Sequence, residues 1–253
     1  MSTEAPIGGA SIVTAALLVI GDEILSGRTK DKNIGHVADH LTSIGIRLKE
    51  VRIVPDEEPE IVAAVNALRA KYDYLFTTGG IGPTHDDITA DAVAKAFGVG
   101  IDVDERALAP MKAYYAQRGV ELTPARLRMA RLPFGAELVE NSVSIAPGFM
   151  LGNVIVMAGV PNIMHVMLDA ATRFLKTGKK MLSAAIDLHR PEGEIAGMFE
   201  AHQKRYPDVP MGSYPFMREG KPGTQLVLRS TDPARLAQAE SELRADLTAR
   251  GWL

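Results

Sequence analysis

A short apolar run, Tyr72-Asp-Tyr-Leu-Phe76, leads into Thr77-Thr-Gly-Gly-Ile-Gly-Pro-Thr-His-Asp-Asp-Ile-Thr89, and residues of helical spacing (Ile88, Ala92, Val93, Ala96, Phe97) lead out of it. A strand, a glycine-rich turn and a helix in this order constrain the fold more than any other segment. Gly79, Gly80 and Gly82 permit backbone conformations closed to other residues and admit a ligand close to the main chain. Pro83 fixes the exit, and Thr84 with Asp87 three residues on is a capping-box-like start in which Asp replaces Glu. Free N–H groups at a helix start favour an anion. Asp86 and Asp87 stand in the same place, where a bare phosphate would be repelled. A divalent cation between carboxylates and phosphate reconciles the two. The plainer alternative is that the aspartates only cap the helix and the glycines only make the turn.

The segments before it set the topology. Residues 15–20 are a continuous apolar run, as expected of a strand buried on both faces of a parallel sheet. It ends in Gly21-Asp-Glu-Ile-Leu-Ser-Gly27. A helix is expected over 33–43, a second strand over 46–54, closed by Pro55-Asp-Glu-Glu-Pro59, and a helix over 60–70. This alternation implies right-handed βαβ units and an α/β fold: a three-layer, doubly wound, mostly parallel sheet. Asp22 and Glu23 then follow strand one, Asp56 follows strand two, and Asp86 and Asp87 follow strand three, all on the carboxyl rim where such sheets bind ligands. If strand one lies between strands two and three, the loops 21–27 and 78–87 face each other across a crevice. The expected chemistry is metal-assisted, on a phosphorylated, nucleotide-like ligand. The amides of Gly79, Gly80 and Gly82 would hold the phosphates. Asp22, Glu23, Asp86 and Asp87 would hold Mg²⁺ or another hard divalent ion, with Asp22, Asp86 and Asp87 as catalytic residues.

Residues 88–131 read as helical, with helices over 104–117 and 124–130. Arg126, Arg128 and Arg131 are a solvated face by default and a phosphate or carboxylate clamp in the sharper reading. Two strands are expected over 137–141 and 153–157, around Ala146-Pro-Gly148, then a helix over 162–175 that packs Met164, Met167 and Leu168 into the core. After a linker at 176–180, residues 181–253 read β-α-β-β-α with a hairpin turn over 219–223, a second, smaller α+β domain. The domains expected are a flexible tail over 1–13, a first domain over 14–176 and a second over 181–253.

A net charge of −3 without a basic patch argues against nucleic acid as a partner. With no cysteine, disulfides, thiolate metal sites and cysteine nucleophiles are excluded. The apolar run 11–20 follows no basic segment, meets Asp22-Glu23 at once and is too short to span a bilayer. A cytoplasmic protein without membrane partners is expected. The six histidines form no close cluster in sequence; His85 either contacts phosphate or fills a variable position. No G-x-S-x-G elbow or Walker-type lysine is present.

Residues 77–89 resemble the hallmark T-G-G-[IL]-G-P-T-x-D-D-[IL]-T of the molybdopterin-binding-like domain that opens the competence/damage-inducible protein A (CinA) family and recurs in MogA and MoeA. Gly21 to Gly27 resemble that family's G-D-E-[IL]-[IL]-x-G; Asn33 stands where its asparagine follows, and Asp56 resembles its acidic residue after strand two. Asn141, Ala146, Pro147, Gly148, Gly159, Val160 and Pro161 resemble N-P-x-G-x-A-P-G followed by P-G-V-P-x-E, whereas Ser142, Ser144, Ala158 and Ile163 depart from it. The resemblance implies hydrolysis of the pyrophosphate of ADP-ribose and related compounds, with Mg²⁺ or Co²⁺ and with K⁺ assisting. It adds Thr78, Thr84, Asn33 and Gly148 to the nucleotide-binding set and implies a homo-oligomer. The alternatives are molybdopterin binding or adenylylation, or a non-catalytic nucleotide- or pterin-binding module. The region 181–253 resembles the family's middle domain; the amidohydrolase domain of longer members has no counterpart, so deamidation of nicotinamide mononucleotide is not expected.

Overall fold

The computed structural model describes residues 12–253, so of the tail expected over 1–13 only Ile12 and Val13 are described, and Val13 already opens the first strand. The chain divides into two compact units, one ending at Gly178 and the other spanning Lys179–Leu253. The first unit runs β1 (Val13–Ile20), α1 (Asp22–Leu25), α2 (Asn33–Ser43), β2 (Ile46–Val54), α3 (Glu58–Lys71), β3 (Tyr74–Thr78) and α4 (Thr89–Phe97). It continues β4 (Ile101–Val103), α5 (Glu105–Gln117), α6 (Pro124–Leu127), β5 (Arg131–Pro133), β6 (Glu137–Val139), β7 (Gly148–Leu151), β8 (Val154–Met157) and α7 (Pro161–Ala171).

Its main sheet has the order β2-β1-β3-β8-β7-β6. The pairs β1–β2, β1–β3 and β3–β8 are parallel, while β8–β7 and β7–β6 are antiparallel. The apolar runs of β1, β3 and β8 are buried on both faces because each alternates between two cores. Leu18 and Leu75 pack with Ile61, Val65 and Leu68 of α3 and Ala92 and Val93 of α4. Leu17 and Phe76 point the other way, among Val37 and Leu41 of α2 and Met164, Met167 and Leu168 of α7. The result is the expected three-layer, mostly parallel α/β architecture, with β1 between β2 and β3.

Two expectations are corrected. The segment 88–131 is not helical throughout: Gly98 ends α4 in a left-handed conformation (φ 67°), and residues 101–103 pair antiparallel with 131–133. Strand β7 is also added, because Gly152 (φ 57°) turns Gly148–Leu151 back onto β8.

The second unit comprises β9 (Leu182–Leu188), α8 (Glu192–Arg205), β10 (Met211–Arg218), β11 (Lys221–Ser230) and α9 (Pro233–Ala249). Its antiparallel sheet has the order β10-β11-β9. Ile186, Leu226 and Leu228 meet Phe199 of α8 and Leu243 of α9 in a separate core. The hairpin turn is tighter than expected. Glu219 and Gly220, at φ 52° and 73°, make a two-residue reversal that matches strand twist.

Candidate functional site

Because β1 lies between β2 and β3, the segments after all three emerge on one rim, around a cleft of about 550 Å³. Glu23, Asp56, Gly79, Gly80, Gly82, Asp86 and Asp87 line it, and among the described residues no lysine or arginine does. Ile81, Met129, Ile163 and Met167 give it an apolar wall.

The glycine loop is shaped first by the protein's own atoms. A Cβ at Gly79 (φ 103°) would stand 2.1 Å from the Ile20 carbonyl oxygen, and one at Gly80 (φ 67°) 2.1 Å from Thr89 Oγ1. These glycines are thus required for the turn to close against β1 and α4, whatever approaches from outside. The expectation that three glycine amides face a ligand is corrected. Gly79 N donates to Met157 O at 3.1 Å and Gly82 N to Asp87 Oδ1 at 2.6 Å. The amides of Gly80 and Ile81 have no partner among the described residues. They are consecutive, both residues line the cleft, and they are open to an anion.

Asp87 is a staple. Its Oδ1 takes the Gly82 amide and its Oδ2 takes the Thr84 amide at 2.8 Å together with the Thr84 hydroxyl. The capping-like reading of Thr84 and Asp87 therefore describes the loop better than a cation ligand at Asp87 does. Asp86 is exposed. The Thr84 hydroxyl between the two aspartates, its own amide and the neighbouring His85 hold its carboxyl below the usual range.

Across the rim, Asp56 Oδ2 accepts the Asp22 amide at 2.9 Å. Burial raises the Asp56 pKa most; the charges of Asp22, Glu23 and Asp86 raise it further, against the lowering effect of the Asp22 amide. Asp22, Glu23, Asp56 and Asp86 surround an opening that adjoins the cleft, with Arg28 as its one lining cation among the described residues. No three His, Asp or Glu side chains there already stand as a complete ligand set. Crowded carboxylates, one with its pKa raised by burial first and by its neighbours second, suit a hard cation of the Mg²⁺ kind, commonly held by one or two carboxylates with water and phosphate oxygens completing its shell.

Several residues expected at the ligand lie behind it. Thr78 (1% exposed) and Asn33 (4%) are buried and do not line the cleft. Asn33 Nδ2 donates to Gly159 O at 2.8 Å, and Gly159 packs against Gly79, so Asn33 acts on the frame of the loop. Gly148 opens β7, where a Cβ would meet the Val156 carbonyl at 2.3 Å. Thr84 bonds within the loop, and Asp22 faces the adjoining opening. His85 is exposed and does not line the cleft. Neither reading of the arginines holds for all three. Arg131 pairs with Asp91 at 2.7 Å and Arg128 donates to Asp87 O at 3.3 Å, bracing the loop from behind, while Arg126 bonds Glu121 O.

Sequence reasoning missed the Ile81 amide, although Ile81 stands inside the glycine motif, missed Met129, for which no motif exists, and left Asp56 out of the site despite its place after strand two. Of the four departures from the family pattern, Ser144, Ala158 and Ile163 fall in the cleft wall and Ser142 does not. Asn141 holds that wall by donating from Nδ2 to Ala146 O at 2.8 Å and Ser144 Oγ at 2.7 Å.

Comparison with known proteins gives the family. Residues 16–177 match the family described as "Probable molybdopterin binding domain", and residues 180–252 match "FAD synthase, middle domain". A protein of Aeropyrum pernix is 33% identical over 248 residues, spanning 94% of this chain and 92% of its own length. A CinA-like protein of Desulfosudis oleivorans is 41% identical over 159 residues; the match spans 61% of this chain and only 38% of that protein. The crystal structure of the protein CinA from Thermoplasma acidophilum superposes with a TM-score of 0.60 at 36% identity, covering 65% of this chain and 99% of that one. The chain belongs to the CinA-like family, built here from a molybdopterin-binding-type domain followed by a domain of the FAD synthase middle type.

Proposed function

We propose that the cleft hydrolyses the pyrophosphate of a nucleoside-diphosphate-linked small molecule, of which ADP-ribose is the type. One observation carries this reading: the free amides of Gly80 and Ile81 share a cleft with Glu23, Asp56 and Asp86, an anion-seeking and a cation-seeking group side by side. In this reading the Gly80 and Ile81 N–H groups hold a phosphoryl oxygen, and one or two carboxylates drawn from Asp22, Glu23 and Asp86 supply oxygens to a divalent ion, Mg²⁺ or Co²⁺, with K⁺ assisting. That ion, when bound, offsets phosphate charge and lowers the pKa of water. Asp87 keeps the loop in register, and the apolar wall of Met129, Ile163 and Met167 receives the base.

The test is purified protein with ADP-ribose, Mg²⁺ or Co²⁺ and K⁺, assayed for AMP. AMP release that stops on chelation and falls about 100-fold or more in Asp86→Asn supports the reading; no release at any metal concentration refutes it. A second reading, molybdopterin binding or adenylylation, is favoured by the family description over residues 16–177 and by the same apolar wall, which suits a flat ring. Copurifying pterin or ATP-dependent adenylylation without AMP release from ADP-ribose would select it, and neither activity would leave a binding module. We also propose a homo-oligomer, testable by light scattering. No described helix is long and apolar enough to cross a membrane.

A further inference from the structure

We infer that Thr89, a residue outside the cleft lining, is the positioning residue that aims the anion-binding amides; the inference rests on the reading above. Thr89 is fully buried at the first position of α4. It holds two consecutive peptide units at once: its hydroxyl donates to Gly79 O at 2.9 Å and its amide donates to Gly80 O at 3.0 Å. In a trans peptide the C=O and the following N–H point in opposite directions, and the chain has no cis bond among the described residues. Fixing the Gly79 carbonyl toward α4 therefore turns the Gly80 N–H away from α4, and fixing the Gly80 carbonyl does the same for Ile81. Both amides are left without a partner among the described residues, and both residues line the cleft. The fit is mutual, since a Cβ at Gly80 would strike Thr89 Oγ1 at 2.1 Å. The side chain thus makes the pair of donors by occupying the acceptors behind them, without touching the ligand. A preset pair of N–H groups costs no reorganisation when charge arrives, which is where such donors gain their effect.

Thr89→Val separates the roles, because it keeps the side-chain shape and the amide bond to Gly80 O but removes the hydroxyl bond to Gly79 O. Thr89→Ser restores the hydroxyl. Each protein is titrated with the non-hydrolysable α,β-methylene analogue of ADP-ribose and Mg²⁺ while calorimetry reads affinity and ¹⁵N-resolved spectra read the Gly80 and Ile81 amides. In the wild type both amide signals should move on binding. In Thr89→Val affinity should fall about tenfold and those shifts should shrink, while Mn²⁺ alone binds as in the wild type; in Thr89→Ser affinity should return to within about threefold. Thr89→Val binding as tightly as wild type, with the same amide shifts, overturns the inference and leaves the proposed function standing. So does a loss in Thr89→Val that serine fails to rescue although spectra show serine folded. A wild-type protein that neither binds the analogue nor releases AMP from ADP-ribose overturns the proposed function itself, and the inference with it.

Discussion

Individual residues in the glycine loop answer to protein atoms before they answer to a ligand, and substitutions should reveal this. Gly79→Ala must drive a methyl group into the Ile20 carbonyl at a left-handed backbone position, so a loss of more than about 2 kcal/mol is expected in denaturant titration. Gly35, within α2, has nothing within 4 Å of an added Cβ. There Gly35→Ala should stabilise by about 0.5–1 kcal/mol through helix propensity alone. Asp87→Ala removes the acceptor for the Gly82 and Thr84 amides. Hydrogen exchange at those two amides should quicken while exchange in β3 stays slow; unchanged protection would show that the loop does not depend on this carboxylate.

At the scale of elements, α2 and α7 meet through stacked imidazoles: His36 and His165 lie 3.5 Å apart between centroids and 13° from parallel. The His165 Nε2 is buried without a partner, and His40 on α2 bonds the Thr172 hydroxyl at 2.8 Å and faces Asp169 at 3.5 Å. Burial, chiefly, lowers the pKa of both His40 and His165; His36 lowers them further, and Asp169 opposes. A base with a lowered folded pKa takes its proton more readily in the unfolded chain. Stability is therefore complete above the ordinary histidine range and is lost as pH falls through it. His202 of the second unit, also lowered mainly by burial, has the same sign. Thermal midpoints should fall from about pH 7.5 to about pH 5.5, and His36→Leu with His165→Leu should flatten the first unit's share. An unaltered slope in that double variant would remove the stack from the explanation. Because α7 starts in the cleft wall and α2 carries Asn33 under Gly159, loosening this contact reaches the glycine loop through packing.

At the scale of the whole molecule, the second unit has its own core, so residues 179–253 alone should melt cooperatively by circular dichroism; a gradual, featureless melt would show that this core is insufficient. The strand order also explains how much was legible in advance. The apolar run 15–20, the stretch 46–54 with its Ile and Val residues between charges, and the helix 33–43 declare themselves by period and length, and these alone give a parallel sheet with acids on its carboxyl rim. The three-residue strands β4 and β5 carry too few residues for a period and exist only because they find each other. In the same way, the carboxylates of Asp86 and Asp87 look equivalent side by side in sequence, but the fold leaves one exposed and turns both oxygens of the other inward onto the loop.

The amino-acid sequence thus determined the class of fold, the rim on which the site lies and the residue types gathered there, because these follow from side-chain period and from glycine's and aspartate's own chemistry. Only the tertiary structure decided which amides stay free and which glycines are needed for closure against β1 and α4. It also decided that Asn33, Thr78 and Gly148 support the cleft from behind. A hydrogen bond needs two partners in space, and the second partner of each, Met157 O for Gly79, Gly159 O for Asn33 and Gly79 O for Thr89, is supplied by whatever the fold brings alongside.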